Sequence, residues 1–96
     1  MVMPIAHLSD RSVVKMSGPD ARAFLQGQLT NDIGMLAPET PLYAGVLSPQ
    51  GKAMFAILLF ADGDDILIDC AAAQADALVR RFTMFRMRRS FTIARW

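Results

Sequence analysis

The 96-residue sequence is poor in the side chains from which catalytic and metal sites are most often built. It contains one cysteine, Cys70, and one histidine, His7. A single cysteine excludes a disulfide framework within the chain and is typical of proteins from a reducing compartment. A lone histidine with no second histidine or cysteine at ligand spacing argues against a zinc site. Packing at the surface or at a strand edge is therefore the simpler interpretation of His7.

Long apolar runs and an excess of charge are also missing. The longest apolar stretch, residues 53–61, is about half as long as a segment that crosses a bilayer. The first ten residues lack the basic region and the apolar length of a signal peptide. The net charge is +1 at pH 7, which gives no indication of nucleic-acid binding. We therefore expect a cytoplasmic protein, or its mitochondrial-matrix equivalent, with neither a membrane nor nucleic acid as partner.

Apolar residues, in contrast, are abundant. They make up 53% of the sequence and charged residues 20%, and seven residues are methionine. A chain this short buries only a modest fraction of its surface, and methionine is typical of adaptable contact surfaces. We interpret residues 1–96 as a single domain. Its surplus apolar surface is expected to meet the remainder of a longer chain or a second subunit.

Hydrophobic periodicity predicts the element order β-α-β-β-β-α-β. Strands are predicted at residues 11–17, 42–47, 52–60, 66–68 and 90–95, and helices within residues 17–29 and over residues 71–87. The strand at 52–60 shows no two-fold alternation, so we expect it to be buried on both faces. The predicted fold is α+β, a mostly antiparallel sheet with two helices packed on one face, close to a ferredoxin-like arrangement.

Local signals refine the two helices. Ser17 and Asp20 form a capping-box pattern at the first helix, and Gly27 within it is a position where another backbone often comes close. Residues 30–32 offer a second cap and one more helical turn. Five residues of the second helix share an apolar face: Ala71, Ala75, Leu78, Phe82 and Phe85.

The motifs that suggest chemistry have simpler interpretations. A phosphate loop needs a glycine-rich turn that opens a helix, whereas the turn at Gly51 and Lys52 opens an apolar strand, which indicates the corner of a hairpin. The acids Asp62, Asp64 and Asp65 lack the frame and the terminal glutamate of a calcium loop, so they indicate a solvated turn. Asp69 precedes Cys70, and because a nearby anion disfavours the thiolate, a buried structural cysteine is favoured over a nucleophile.

Residues 80–89, RRFTMFRMRR, interleave arginine with aromatic and apolar side chains, as nucleic-acid-binding surfaces do. Phe82 and Phe85 also fall on the stripe of Leu78, which favours a place in the core. The arginines then face solvent or a partner. Contact with RNA stays as the alternative.

Four segments of the sequence carry a family resemblance: VVKMSGPDARAFLQGQLTNDI, LYAGVLSPQGKAMFAILLF, ILIDCAAAQADALVRRF and MFRMRRSFTI. Together they resemble the N-terminal part of the glycine-cleavage T-protein superfamily. Within that superfamily they are most similar to the YgfZ-type folate-binding proteins of iron–sulfur protein maturation. The resemblance covers roughly residues 8–93, and its most specific parts are SGPDARAFLQGQLTND, the SPQGK turn and FRMRRSFTI.

This resemblance implies a non-catalytic domain that binds tetrahydrofolate, acts in the maturation or repair of iron–sulfur proteins, and has a link to tRNA modification. It implies iron–sulfur client proteins as partners. It also implies a longer protein with three lobes around a folate channel, of which residues 1–96 would be the N-terminal fragment. Tyr43 and Asp69 match positions near the folate pocket; the structural alternative for both is a strand residue that caps the core.

One departure from the superfamily bears on activity. Ala56 falls where the aminomethyltransferases carry a catalytic aspartate, whose carboxylate would orient the folate amine and stabilise developing charge. Alanine can do neither, so the resemblance implies no catalytic residue and no aminomethyl transfer, and no metal is expected. Two alternatives stay open, an active aminomethyltransferase and a small dimeric interaction module.

Overall fold

The computed structural model describes residues 10–48 and 50–96; His7 therefore lies outside the described residues. The strands are β1 (Arg11–Ser17), β2 (Leu42–Leu47), β3 (Ala53–Asp62), β4 (Asp65–Ala71) and β5 (Thr92–Arg95). The helices are α1 (Ala21–Gln26), a short 3₁₀ helix (Ile33–Met35) and α2 (Ala72–Met84). This order confirms the predicted β-α-β-β-β-α-β sequence of elements.

The strands form one sheet in the order β2-β3-β4-β1-β5, and each pair of neighbours is antiparallel. Helix α2 joins β4 to β5, and β1 lies between these two strands. This split arrangement is the one found in ferredoxin-like folds. The predicted fold class is confirmed.

The core lies between one face of the sheet and the helices. Alternate residues of each strand enter it, as the two-residue period of a strand requires. Phe24 of α1 meets Phe82 of α2 edge to face, with ring centroids 5.3 Å apart, and lies 4.7 Å from the Phe91 ring. The fully buried side chains of the core include Val14, Met16, Leu25, Val46, Ile57, Leu59, Ile66, Ile68, Cys70, Leu78 and Phe82.

Strand β3 is buried on one face only, which corrects the prediction that it is buried on both. Ile57 and Leu59 have no exposed surface, whereas Met54 is 44% exposed and Ala56 is also exposed. The physical reason is that the buried residues of α1, the 3₁₀ helix and α2 all belong to the one core cluster. Among the described residues no helix covers the second face of the sheet, which we call the open face.

The start of α1 differs from the predicted capping box. The helix begins at Ala21, and Asp20 precedes it without a side-chain cap. The Asp20 carboxylate instead accepts a hydrogen bond from the Ser90 N–H (2.6 Å), while the Asp20 N–H donates to the Ser90 carbonyl (3.1 Å). The capping-box prediction is wrong because a contact distant in sequence takes the carboxylate that the local pattern assigned to the helix.

The second cap is confirmed in the segment after α1. The Asp32 carboxylate accepts from the Gly34 N–H at 2.9 Å and begins the 3₁₀ helix. Gly27 was expected to allow a close backbone approach, yet a Cβ added there would meet only the Phe24 carbonyl at 3.7 Å. A close backbone approach is found instead at Gly18, where an added Cβ would lie 2.6 Å from backbone atoms of Ser90 and Phe91.

Helix α2 ends at Met84, three residues before its predicted end at residue 87. The chain has to turn there to enter β5, and Arg86 holds the turn through a hydrogen bond from its Nη1 to the Phe91 carbonyl at 3.2 Å. Phe85 was predicted to share the buried face, but it is 38% exposed because the helix stops before it. The Arg81 guanidinium lies over its ring, 5.0 Å from the centroid.

Candidate functional site

Tyr43, Ala56 and Asp69 lie on the open face, on three neighbouring strands. Tyr43 pairs with Leu58 across β2 and β3, and Leu58 pairs with Asp69 across β3 and β4. Tyr43 and Asp69 therefore lie at one level of the sheet, two strand spacings apart, which is about 10 Å. Ala56 is two residues from Leu58 along β3 and therefore points to the same side. The structure brings the three sequence-derived positions together on one surface.

Asp69 is the most buried charged residue of this surface. It is 6% exposed, and its Oδ1 accepts a hydrogen bond from the Arg11 Nε at 3.2 Å. Burial of a carboxylate is costly unless a cation or hydrogen bonds compensate it, and Arg11 on β1 supplies that compensation. The fold thus holds Oδ1 of Asp69, and among residues 10–48 and 50–96 no hydrogen bond to Oδ2 is found.

Tyr43 is on the edge strand β2 and is 67% exposed. Its backbone is fixed by the segment after α1, since the Asn31 Nδ2 donates to the Tyr43 carbonyl at 3.2 Å. The next residue but one, Gly45, is tied to the same segment, because its N–H donates to the Thr30 Oγ1 and its carbonyl accepts from the Thr30 N–H, both at 2.9 Å. The fold therefore holds the backbone of β2 in place and leaves the Tyr43 ring free to meet a ligand.

The surface around Tyr43 and Asp69 is largely apolar, and Leu58 lies between the two residues. Val13, Leu58, Phe60 and Leu67 are only partly exposed, and the register places them on the open face. Lys15 and Asp65, which border this surface, form an ion pair with Nζ and Oδ2 3.4 Å apart. The arrangement offers a flat apolar shelf with a phenol at one side and a carboxylate at the other. Such a shelf can stack a planar ring and accept hydrogen bonds from N–H groups at the edge of the ring.

The turn at Gly51 and Lys52 is the corner of a hairpin, as predicted. Gly51 has φ +83°, a conformation that glycine adopts readily. The Ser48 Oγ accepts from the N–H groups of Gln50 (3.2 Å) and Lys52 (3.1 Å), and the Ser48 carbonyl accepts from the Gly51 N–H (2.9 Å). All three N–H groups already have partners inside the turn, so they do not converge on an anion as a phosphate loop requires.

Cys70 is a structural residue, as predicted. It has no exposed surface and belongs to the core face of β4. Burial raises the pKa of the Cys70 thiol above its ordinary value of 9.0; the Arg11 guanidinium opposes the rise and the Asp69 carboxylate adds to it. Because the thiolate is the nucleophile, this environment keeps the thiol protonated and unreactive.

The raised pKa of Cys70 gives a testable dependence of stability on pH. Because the folded thiol holds its proton to a higher pH than the unfolded thiol, its contribution is fully present below the unfolded pKa and is lost as pH rises through the folded pKa. We expect the free energy of unfolding, measured with denaturant from about pH 8 to about pH 10, to fall more steeply for the wild type than for Cys70→Ala. Parallel curves for the two proteins would contradict this assignment.

The acidic residues Asp62, Asp64 and Asp65 lie at the turn that joins β3 to β4. Asp62 and Asp64 are exposed in a turn around Gly63, whereas Asp65 pairs with Lys15. Over residues 10–48 and 50–96, no group of three or more histidine, cysteine or acidic residues is placed to hold a metal ion. Over the same residues, none of the helices is long and apolar enough to span a bilayer.

No feature of the sequence identifies Arg11 as the partner of Asp69. The two residues are far apart in the chain and meet because β1 pairs with β4, with Val13 opposite Asp69 and Arg11 two residues before Val13. An arginine at the start of a strand is too common to identify a partner by itself. Only a prediction that Asp69 is buried would have indicated that it needs a cationic partner on a neighbouring strand.

Comparison with known proteins finds similar sequences and a similar fold. No family model matches the chain. The mitochondrial iron–sulfur cluster assembly factor IBA57 of Mus musculus is 28% identical over 100 residues, which cover 90% of this chain and 28% of that protein. The mitochondrial IBA57 homolog of Neurospora crassa is 28% identical over 96 residues, which cover 93% of this chain and 22% of that protein. The chain thus spans about a quarter of the length of these relatives.

Two aminomethyltransferases are also similar. One from Desulforamulus reducens is 34% identical over 56 residues, which cover 58% of this chain and 15% of that protein. The crystal structure of the glycine cleavage system aminomethyltransferase T from Bartonella henselae superposes with a TM-score of 0.80 at 17% identity and covers 96% of this chain and 25% of its own. The fold is therefore that of the matched quarter of a T-protein, and the predicted resemblance to the glycine-cleavage T-protein superfamily is confirmed.

Proposed function

We propose, from its similarity to the T-protein superfamily and to iron–sulfur assembly factors, that this chain is a non-catalytic, tetrahydrofolate-binding domain that acts in the maturation or repair of iron–sulfur proteins. The observation that carries the proposal is the similarity to IBA57 assembly factors over nine-tenths of the chain. The link to tRNA modification would then pass through iron–sulfur enzymes that depend on this maturation. The site of action is the cytoplasm or the mitochondrial matrix.

The open face supports folate as the ligand. The pterin ring of tetrahydrofolate is flat and carries N–H donors at its edge, so it matches an apolar shelf bordered by a phenol and a carboxylate. Leu58 would lie beneath the ring, Tyr43 beside it, and the Oδ2 of Asp69 would accept from its N–H groups. When bound, folate supplies a carrier for one-carbon units; the chain's own residues bind and orient it.

Ala56 distinguishes this proposal from aminomethyl transfer. It is exposed on the open face next to the shelf, where it offers no carboxylate to a reacting amine. Of the acids whose position on this face is known, Asp69 is bonded to Arg11 and Asp65 to Lys15. Both are already engaged by cations, which supports binding without transfer. A transferase therefore remains the alternative that an activity assay has to exclude.

The open face would be completed by parts of the protein beyond this domain or by a second subunit. Residues 1–96 would form the N-terminal lobe of a three-lobed protein, and the other lobes or a second subunit would cover the open face. Two observations support this: the chain spans about a quarter of its relatives, and two large hydrophobic side chains of the open face, Met54 and Tyr43, are 44% and 67% exposed. Its partners would be iron–sulfur client proteins.

Calorimetric titration of tetrahydrofolate into the 96-residue chain tests folate binding. We expect Tyr43→Ala and Asp69→Asn each to weaken binding about tenfold, which corresponds to about 1.4 kcal/mol. Trp96→Ala is the matched control, because Trp96 is similarly exposed (72%) but follows β5 at the opposite edge of the sheet. We expect its affinity to equal that of the wild type.

Two results would contradict the proposal. Equal weakening of folate binding by all three variants would remove the folate site from the open face, and absence of binding by the wild type would favour a small interaction module or an incomplete fragment. Formation of 5,10-methylenetetrahydrofolate from an aminomethyl donor would establish the transferase instead.

A further inference from the structure

A basic loop follows α2 and enters β5. It consists of residues 86–89, with arginine at positions 86, 88 and 89, and we call it the arginine loop. The loop forms one wall of a cavity of about 480 Å³, which Ser17, Gly18, Ser90 and Thr92 also line. The described lining consists of these residues together with Met87 and Phe91, and it contains no carboxylate. The chemistry of this cavity is therefore that of an anion-binding surface.

The positive charge of the loop is not neutralised within the described fold. The ion pairs found over residues 10–48 and 50–96 involve Arg11, Lys15 and Arg95, and none includes the arginine loop. In the sequence, no acid follows Asp76. The nearby Asp20 carboxylate accepts from the Ser90 N–H at 2.6 Å. Arg88 and Arg89 are exposed, so their guanidinium groups are accessible to an external anion.

The backbone of the loop is held in an unfavourable conformation. Met87 has φ +58°, a left-handed conformation that is costly for a residue with a Cβ. Its side chain is 83% exposed, so burial in this chain does not offset the cost. Conformations of this kind cluster where a ligand or partner binds. The effect of the turn is to present an apolar side chain between two arginines.

We propose that the arginine loop is a docking surface for an acidic segment of a partner protein, in which side-chain carboxylates pair with Arg88 and Arg89 and an apolar side chain contacts Met87. Guanidinium groups pair with carboxylates through two parallel hydrogen bonds, and methionine adapts to varied apolar contacts. This surface goes beyond the proposed folate site. It is located at β1 and β5, whereas Tyr43 is on β2, at the opposite edge of the sheet.

An acidic protein segment fits the loop better than nucleic acid does. Single-stranded nucleic acids bind to basic grooves that carry aromatic stacking platforms. Of the aromatic side chains nearest in sequence, Phe91 is 4% exposed, and Phe85, which is 38% exposed, already has the Arg81 guanidinium 5.0 Å from its ring centroid. The side chain that the loop does expose is a methionine, which offers an apolar contact without a stacking face.

Fluorescence anisotropy with a labelled dodecaglutamate peptide tests the proposal. We expect the wild-type chain to bind the peptide and the double variant Arg88→Glu, Arg89→Glu to bind it at least about tenfold more weakly, because each reversal replaces an attraction by a repulsion. The matched control is Lys52→Glu, Arg80→Glu. It changes the net charge by the same amount at exposed positions outside the loop, and we expect less than about a threefold loss. Circular dichroism verifies the fold of each variant, and Arg88→Gln, Arg89→Gln replaces the double reversal if that variant does not fold.

Three results would overturn the proposal: no binding of dodecaglutamate by the wild type, equal weakening in the loop and control variants, or tighter binding of a labelled dodecauridylate than of dodecaglutamate. The third would identify the loop as a nucleic-acid surface. A folate titration of Arg88→Glu, Arg89→Glu separates the two sites. We expect this variant to keep the folate affinity of the wild type, so the docking proposal and the folate proposal are tested independently.

Discussion

Replacement of Gly18 by alanine is expected to destabilise the chain by about 3 kcal/mol or more, a large part of the stability of a small domain. Gly18 has φ +130°, a conformation that residues with a Cβ rarely adopt. A Cβ added there would lie 2.6 Å from both the Phe91 Cα and the Ser90 carbonyl oxygen. Both atoms belong to the backbone, so the clash cannot be relieved by rotation of a side chain. Chemical denaturation of the two proteins at neutral pH measures the loss.

Gly63→Ala is the matched control for this prediction. Gly63 also has a positive φ, +60°, but a Cβ added there would have no heavy atom within 4 Å. We expect a loss of about 1 kcal/mol, which is the cost of the left-handed conformation alone. Equal losses in the free energy of unfolding at the two glycines would show that the close approach of Gly18 to residues 90 and 91 does not add to the cost of a Cβ. The difference between the two variants therefore isolates the packing of the loop before α1 against the start of β5.

The order of the elements could be predicted because each element carries its own local signal. The bounds of β1 and β2 match the structure, since alternating or β-branched runs end at clear turn residues there. Helix α2 was found from a single apolar face, and three residues of that face, Ala75, Leu78 and Phe82, are buried. A periodic pattern identifies an element reliably when one face of that element packs on the core.

The errors have a common physical cause, which is contact between residues that are distant in sequence. Asp20 bonds to Ser90 instead of to its own helix, and the close backbone approach that was expected at Gly27 is found at Gly18. Phe85 lies at the end of the predicted stripe, but the turn that Arg86 makes with Phe91 ends the helix before it. Local patterns cannot anticipate such pairings, because the partner residue is not in the window that is read.

The candidate site also depends on contacts between residues that are distant in sequence, whereas the arginine loop is a local feature. Tyr43 and Asp69 came from family resemblance, and no pattern in the sequence places them side by side. Their proximity follows from the register of β2, β3 and β4, in which both pair with Leu58. The arginine loop, in contrast, was visible in the sequence as a run of basic residues. The structure adds that Met87 has a positive φ and that the described lining of the adjacent cavity contains no carboxylate.

A pair of leucines tests whether β3 is buried on one face only. Leu59 has no exposed surface and points into the core, whereas its neighbour Leu58 is partly exposed on the open face. We expect Leu59→Ala to reduce the free energy of unfolding by about 3–4 kcal/mol, since a fully buried leucine leaves a cavity in addition to the lost transfer energy. Leu58→Ala should cost about 1 kcal/mol, in proportion to its partial burial.

The two variants change the same side chain at adjacent positions of one strand, so strand propensity and chain composition cancel in the comparison. Equal losses would mean that something covers the open face in solution. Denaturation at several protein concentrations then separates the possibilities, because cover by a second copy makes the cost of Leu58→Ala rise with concentration. Cover from within the chain leaves that cost constant. A small, concentration-independent cost at Leu58 is the result that keeps the shelf beside Tyr43 and Asp69 accessible to a ligand, as the proposed folate site requires.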